Sequence, residues 1–354
     1  MLPGGIFNTK YEADAAIFRT RLQWIVLGLL LVLVFTLPVW TSNYWLAWFT
    51  RLAITIIAVL GLHVLTGLCG QISIGHAAFV GVGAYAVAIL TVKSGLNGWV
   101  CLPISAIAAG VVGLFFGLPC FRLKGFYLAI STLAASYIIV WCFEYFESVT
   151  GGFSGLPLEP LTLGGIDFSG RGSFYVLAVI ILVAATFFAK NIQRTAAGRA
   201  FVAIRDNELA AEVSGIAIFR YKMLAFFIGC LFAGVAGWLW AYSQLRVNPD
   251  QFSLMDSMWY LGMIIVGGWG STSGVFFGAF FLKLLEILLS DYINPWLTDI
   301  LPSSWTQQIH VAMSLIVFGL VIIGFMIFQP RGIYYLWERF KINYRFHPYS
   351  FFST

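Results

Sequence analysis

Charge is what this chain has least of: Asp, Glu, Lys and Arg make up 10% of its 354 residues, against about 25% in soluble domains. With 60% hydrophobic residues and a mean hydropathy of +0.90, that scarcity excludes a soluble globular fold and defines an integral membrane protein. Cysteine is also sparse and unpatterned. Cys69, Cys101, Cys120, Cys142 and Cys230 lie in or beside apolar segments without CxxC spacing, which leaves them as small core residues. His63, His76, His310 and His347 show no HExxH or paired-ligand spacing, so no metal site is expected. No G-x-x-x-x-G-K loop followed by Ser or Thr is present to cradle nucleotide phosphates. The chain therefore reads as a non-enzyme without a cofactor of its own, and an attached subunit is the expected source of any driving force it needs.

What is present is apolar and helical. Runs such as 24–39 and 174–188 are apolar on every side, whereas a β-barrel would alternate apolar and polar residues over about ten positions. The expected fold is an all-α membrane bundle of about ten transmembrane helices. The segments fall near 23–40, 52–68, 77–92, 99–118, 126–143, 173–189, 223–243, 257–268, 274–290 and 309–328. The 257–268 run is shorter than the ~20 residues a span needs, and 77–92 is long enough only with the glycine-rich GLCGQISIGHA before it. Broken or re-entrant helices are expected at both. The opening MLPGGIFNTKYEADAAIFRTR is polar and no small-residue cleavage site follows the first apolar run, so that run is expected to stay as an anchor.

Basic residues set the orientation. Lys10, Arg19 and Arg21, then Arg122 and Lys124, then Lys190, Arg194, Arg199, Arg205, Arg220 and Lys222, then Arg331, Arg339, Lys341 and Arg345 all fall on one side of ten spans. This predicts a cytoplasmic segment 1–22, a transmembrane domain 23–328 with a cytoplasmic connection 190–222, and a cytoplasmic tail 329–354. Loops 148–172 and 291–308, poor in basic residues, should face outward. The net charge of +5 then concerns topology and acidic lipid headgroups, not nucleic acid.

Several segments carry chemistry. In Gly198–Lys222, Asp206 is placed to cap a helix over 207–214 that Gly215 would end, about 12 Å long. Its Ala210 and Ala211 are small enough to lie in a partner's groove, while Arg205, Asp206, Asn207 and Glu208 offer directional hydrogen bonds; a solvated connector is the alternative. In GLCGQISIGHAAFVGVGAY at 67–85, Gly67, Gly70, Gly75, Gly81 and Gly83 relax the helix and Gln71, Ser73 and His76 supply polar groups. Tyr127, Ser131 and Thr132 would line the same route or bond back to their own helix. A second glycine-interrupted stretch, 262–281, hints at an internal repeat, or at close helix packing. On the outer side Thr150, Gly151, Gly152 and Ser154 form a turn at the pathway mouth or an ordinary loop. Lys283 and Glu286 stand three apart on one helical face and form an internal pair, a pair to a neighbour, or a functional site. Glu144 and Glu147 are read as interfacial.

GRAFVAIRDNELAAEVSGI followed by RYKMLAF resembles the cytoplasmic signature of permease subunits in branched-chain amino-acid (LIV-type, LivM-like) ABC importers. GLCGQISIGHAAFVGVGAY, TGGFSGL, GGWGSTSGVFFGA and QPRGI follow in the family's order, so the resemblance covers about residues 50–335. It implies an ABC importer permease fold in a bacterial inner membrane. It further implies a homologous second permease, two cytoplasmic ABC ATPases binding ATP and Mg, and an extracytoplasmic solute-binding protein. Residues 199–216, with Arg199, Arg205, Asp206, Asn207, Glu208, Ala211 and Gly215, would couple to those ATPases. The substrate class implied is branched-chain or other hydrophobic amino acids; urea, amides and small aromatic carboxylates are associated with the same family. The rival reading, an ion-coupled secondary transporter, would have to use Lys283 and Glu286. A lipid-modifying enzyme would need a clustered catalytic set that the sequence lacks.

Overall fold

The computed structural model describes residues 21–120, 126–163, 166–293 and 306–346. The bundle is built from α1 (Arg21–Trp40), α2 (Asn43–Leu62), α3 (His76–Ser94), α4 (Gly98–Cys120), α5 (Phe126–Tyr145) and α6 (Arg171–Arg194). After the polar connection come α9 (Ile218–Gln244), α10 (Leu254–Gly267), α11 (Thr272–Ile287), α12 (Thr306–Phe328) and α13 (Gly332–Phe346). The connection itself holds α7 (Ala196–Asp206) and α8 (Glu208–Val213). Lys10, Arg19, Arg122, Lys124 and most of loop 291–308 lie outside the described residues.

Among the described residues eight helices are long and apolar enough to cross a membrane, or nine if α12 and α13, bent by 42° at their junction, make one span. Of the ten expected segments α10 is the short one, as the 257–268 run predicts: its 14 residues reach about 21 Å against a hydrocarbon core of ~30 Å. The second span begins earlier than expected. It runs Asn43–Leu68, with a π-helical turn His63–Leu68 closing it, and so takes in the exposed Arg51. Lys283 and Glu286 are thus not the only charged residues within the spans.

α2 is apolar on all sides and 94% of its window is buried, as expected of a helix at the centre of a bundle. Against it lies α9, whose small residues let backbones approach closely, since lipid tails offer no hydrophobic drive for helix association. A Cβ on Gly61 of α2 would stand 2.5 Å from the Gly229 carbonyl oxygen, and one on Gly83 of α3 would stand 2.6 Å from the Gly234 backbone. Between α9 and α4, the Trp238 indole donates to the Gly98 carbonyl at 2.8 Å.

At the end away from the polar connection, β1 (Leu156–Pro157) pairs antiparallel with β4 (Arg246–Val247), and β2 (Thr162–Leu163) with β3 (Ile166–Asp167). The TGGFSGL segment forms a one-turn helix, Glu147–Thr150, and a 3-10 turn, Gly152–Ser154. Gly151 takes φ +74, which favours glycine, and Thr150 Oγ1 donates to the carbonyls of Phe143 and Phe146 at 2.7 and 2.8 Å. Thr150 and Gly152 are buried, Gly151 is half-buried and Ser154 is exposed.

Candidate coupling and pathway site

The polar connection folds as two short helices, each with its own cap. Thr195 Oγ1 accepts from Gly198 N–H at 3.2 Å to start α7, and Asn207 Oδ1 accepts from Ala210 N–H at 3.1 Å to start α8. The expected cap, Asp206, is instead the last residue of α7. The chain breaks at Asn207, which is extended (φ −158, ψ 106), while the Asp206 carboxylate accepts from the Arg205 guanidinium at 2.9 Å. With six residues, α8 is about 9 Å long rather than 12 Å. Gly215 behaves as expected of a terminator, at φ +84.

Two further expectations about α8 are corrected. Ala211 does not face outward: it packs with Val64, Leu68, Phe201, Ile204 and Ala225, while Ala210 is exposed beside Leu209 and Val213, which are 68% and 90% exposed. Glu208 is not free to meet a partner, because its carboxylate accepts from Lys222 Nζ at 2.8 Å. That ion pair ties α8 to the first turns of α9. Arg199 is exposed and donates to the Arg194 carbonyl at 3.0 Å.

Between α2 and α3 the backbone is not helical over residues 70–75. Gly70 turns the chain (φ +73), and the segment climbs back beside α2 until His76 Nε2 lies 3.0 Å from the Ala58 carbonyl. Ala58 is ten residues before Leu68, so α3 starts about 15 Å above the end of the second span. Irregular backbone at that depth needs substitute partners. Ile74 N–H donates to Thr132 Oγ1 at 3.1 Å, Ala77 N–H to Ser257 Oγ at 2.9 Å, and Thr66 Oγ1 to the Gln71 carbonyl at 2.9 Å.

Gln71, Ser73, His76 and Thr132 are all buried, at no more than 2% exposure. Among the described residues the Gln71 amide, Ser73 Oγ and His76 Nδ1 have no hydrogen-bond partner. The fold gathers these buried residues around one break, the candidate path, with the positive end of α3 beside it. It does not bring Tyr127 there, which is 68% exposed on the surface of α5. Ser131 is half-buried beside Thr132.

Arg205 joins this path to the connection. Its Nη1 donates to the Gly67 carbonyl at 2.9 Å, next to the Leu65 and Thr66 carbonyls that accept from Gln71 and Gly70 N–H across the break. Cβ atoms on Gly70 and Gly270 would meet Arg205 at 3.1 and 2.8 Å, so both glycine-rich breaks close on one side chain. A second link is Gln193 at the end of α6, whose Nε2 lies 3.0 Å from His63 Nε2 and 2.8 Å from Thr272 Oγ1. Ser257, Gln193 and Lys222 were not expected as site residues. A lone serine or glutamine in an apolar run has no sequence signal, and Lys222 reads only as one more basic residue at a membrane edge. Lys283 Nζ donates to Glu286 at 2.7 Å, the internal pair.

A multi-helix bundle with a central discontinuous helix and a capped polar connection is the architecture of an ABC-type membrane permease. The family model described as branched-chain amino acid transport system / permease component matches residues 44–326, and the chain belongs to this family. It is 32% identical to the high-affinity branched-chain amino acid transport system permease protein LivM of Escherichia coli (strain K12), over 93% of this chain and 79% of that protein. It is 25% identical to the probable branched-chain amino acid transport permease protein LivM of Methanocaldococcus jannaschii, over 65% of this chain and 66% of that one. It is also 30% identical to the autoinducer 2 import system permease protein LsrC of Enterobacter sp. (strain 638), over 86% and 84%. No solved structure matches.

Proposed function

We propose that this chain is the translocating subunit of an ATP-driven importer for branched-chain or other hydrophobic amino acids. In this reading it lies in a bacterial inner membrane with both termini cytoplasmic. It pairs with a homologous permease, two cytoplasmic ABC ATPases that bind ATP and Mg, and an extracytoplasmic binding protein docked near Thr150–Ser154. The observation that carries it is Arg205: one side chain of the polar connection holds the Gly67 carbonyl and packs on both glycine-rich breaks. A push on residues 199–216, received by exposed Leu209 and Val213 and braced by Glu208 and Lys222, would move both breaks together as one rigid body. The broken segment supports an amino-acid substrate. The start of α3 offers positive backbone dipoles to a carboxylate, and Gln71, Ser73 and His76 hold unspent hydrogen-bonding capacity for a zwitterion.

The relative named for autoinducer 2 import keeps a second reading, a solute other than an amino acid, because neutral hydrogen-bonding groups do not by themselves demand a zwitterion. Both readings are tested by purifying the tagged chain from its native membrane, identifying what accompanies it, and assaying ATPase activity with each solute. A second permease and two P-loop proteins whose hydrolysis rises with leucine or valine are the expected result. A chain recovered alone and active in uptake without ATP would overturn it.

A further inference from the structure

The first helix is barely held. None of the residues in the α1 span window is buried, and one end is pinned where the Tyr175 hydroxyl donates to the Val34 carbonyl at 3.0 Å and Val34 and Leu37 pack beside Tyr175 and Val179. Below that pin α1 and α6 diverge. They enclose, with α2, a groove of about 500 Å³ lined by Leu27, Leu30, Ala53, Ile56, Val183 and Phe187 among others. One cation closes it: Lys190 of α6, at the end nearest the polar connection. Its ammonium donates to Gln193 Oε1 at 3.5 Å, and among the described residues no carboxylate pairs with it.

Three facts select the occupant. The groove opens sideways from a membrane span, so the medium that reaches it is hydrocarbon. From Lys190 to Tyr175 on α6 is about 22 Å, more than half the ~30 Å core, the reach of one extended acyl chain from its own headgroup layer. A half-buried ammonium beside exposed Arg194 gives that layer a positive field, and basic pockets between spans favour anionic headgroups.

We propose that this wedge is a phospholipid site, with one acyl chain between α1 and α6 and the phosphate of an anionic headgroup at Lys190. The bound lipid would act as a strut for α1, which otherwise has little to rest on.

The test is native mass spectrometry of the full complex purified in a neutral detergent, with phosphatidylglycerol or phosphatidylcholine of the same chains added. One phosphatidylglycerol retained after phosphatidylcholine is stripped is the expected result. Lys190→Gln should reduce that preference about fivefold, the weight of one basic side chain at a lipid surface. Val183→Trp, at a 39%-exposed position on the groove, should abolish retention of both lipids without touching the core. Equal retention of the two lipids by the unaltered protein overturns the headgroup assignment. Retention that survives Val183→Trp places the lipid elsewhere and overturns the site. Lipid bound by the chain alone but expelled in the assembled complex would show that a partner helix fills the wedge, which also overturns it.

Discussion

Replacing Arg205 with alanine removes one charged hydrogen bond to a main-chain carbonyl and the side chain on which two glycine turns close. A bond from a charged donor is worth about 1.5–3 kcal/mol. The side chain is 27% exposed, so the lower end, about 1.5 kcal/mol, is the better figure for the Gly67 contact. The pair with Asp206, 62% exposed, adds at most about 1 kcal/mol and is expected to contribute little. If Arg205 transmits motion from the connection to the breaks, that ~1.5 kcal/mol is lost from coupling and the solute moved per ATP falls about tenfold. Basal hydrolysis should persist, because the partner ATPases keep their own sites. The assay is uptake and hydrolysis measured together in proteoliposomes carrying the assembled transporter. Arg205→Lys should fall between, since an ammonium keeps the charge but not the planar fork. Asp206→Asn, which leaves the Gly67 bond in place, should behave as the parent. Unaltered transport per ATP in Arg205→Ala would refute the linkage, whatever its effect on thermal stability.

Other outcomes follow from the same coordinates. Glu208→Ala strands Lys222, whose side chain is 10% exposed, and should cost about 3 kcal/mol by thermal unfolding in detergent, with Glu208→Gln plus Lys222→Met recovering most of it; melting like the parent would mean the pair is not formed. Gly83→Val drives a side chain into the Gly234 backbone, 2.6 Å from its Cβ position, and should leave no monodisperse protein on size exclusion. Gly95→Ala, at φ +61 in open space, should cost only about 1 kcal/mol. Replacing Lys283 and Glu286 together by glutamine should preserve ATP-dependent uptake, since the two satisfy each other at 2.7 Å; uptake that then loses its dependence on an ion gradient would favour the secondary-transporter reading instead.

The amino-acid sequence determined the class and most of the helices, because lipid forces a spanning backbone to satisfy itself locally and so writes each span as a continuous apolar run. The ten apolar segments are all helices, the short one at 257–268 is short, and the glycine-rich stretch before α3 is broken. Gly215 ends α8 because a left-handed turn favours glycine wherever it occurs. Other features depended on distance in three dimensions. Asn207 rather than Asp206 caps α8 because α7 continues through Asp206 and the backbone opens at Asn207. Ala211 faces inward because the π-turn and α9 lie beneath it. The burial of Gln71, Ser73 and His76, the meeting of two glycine turns on Arg205, and the wedge ending at Lys190 join residues tens to hundreds of positions apart. Periodicity reports which residues share a face of one helix, and only tertiary packing decides which faces meet.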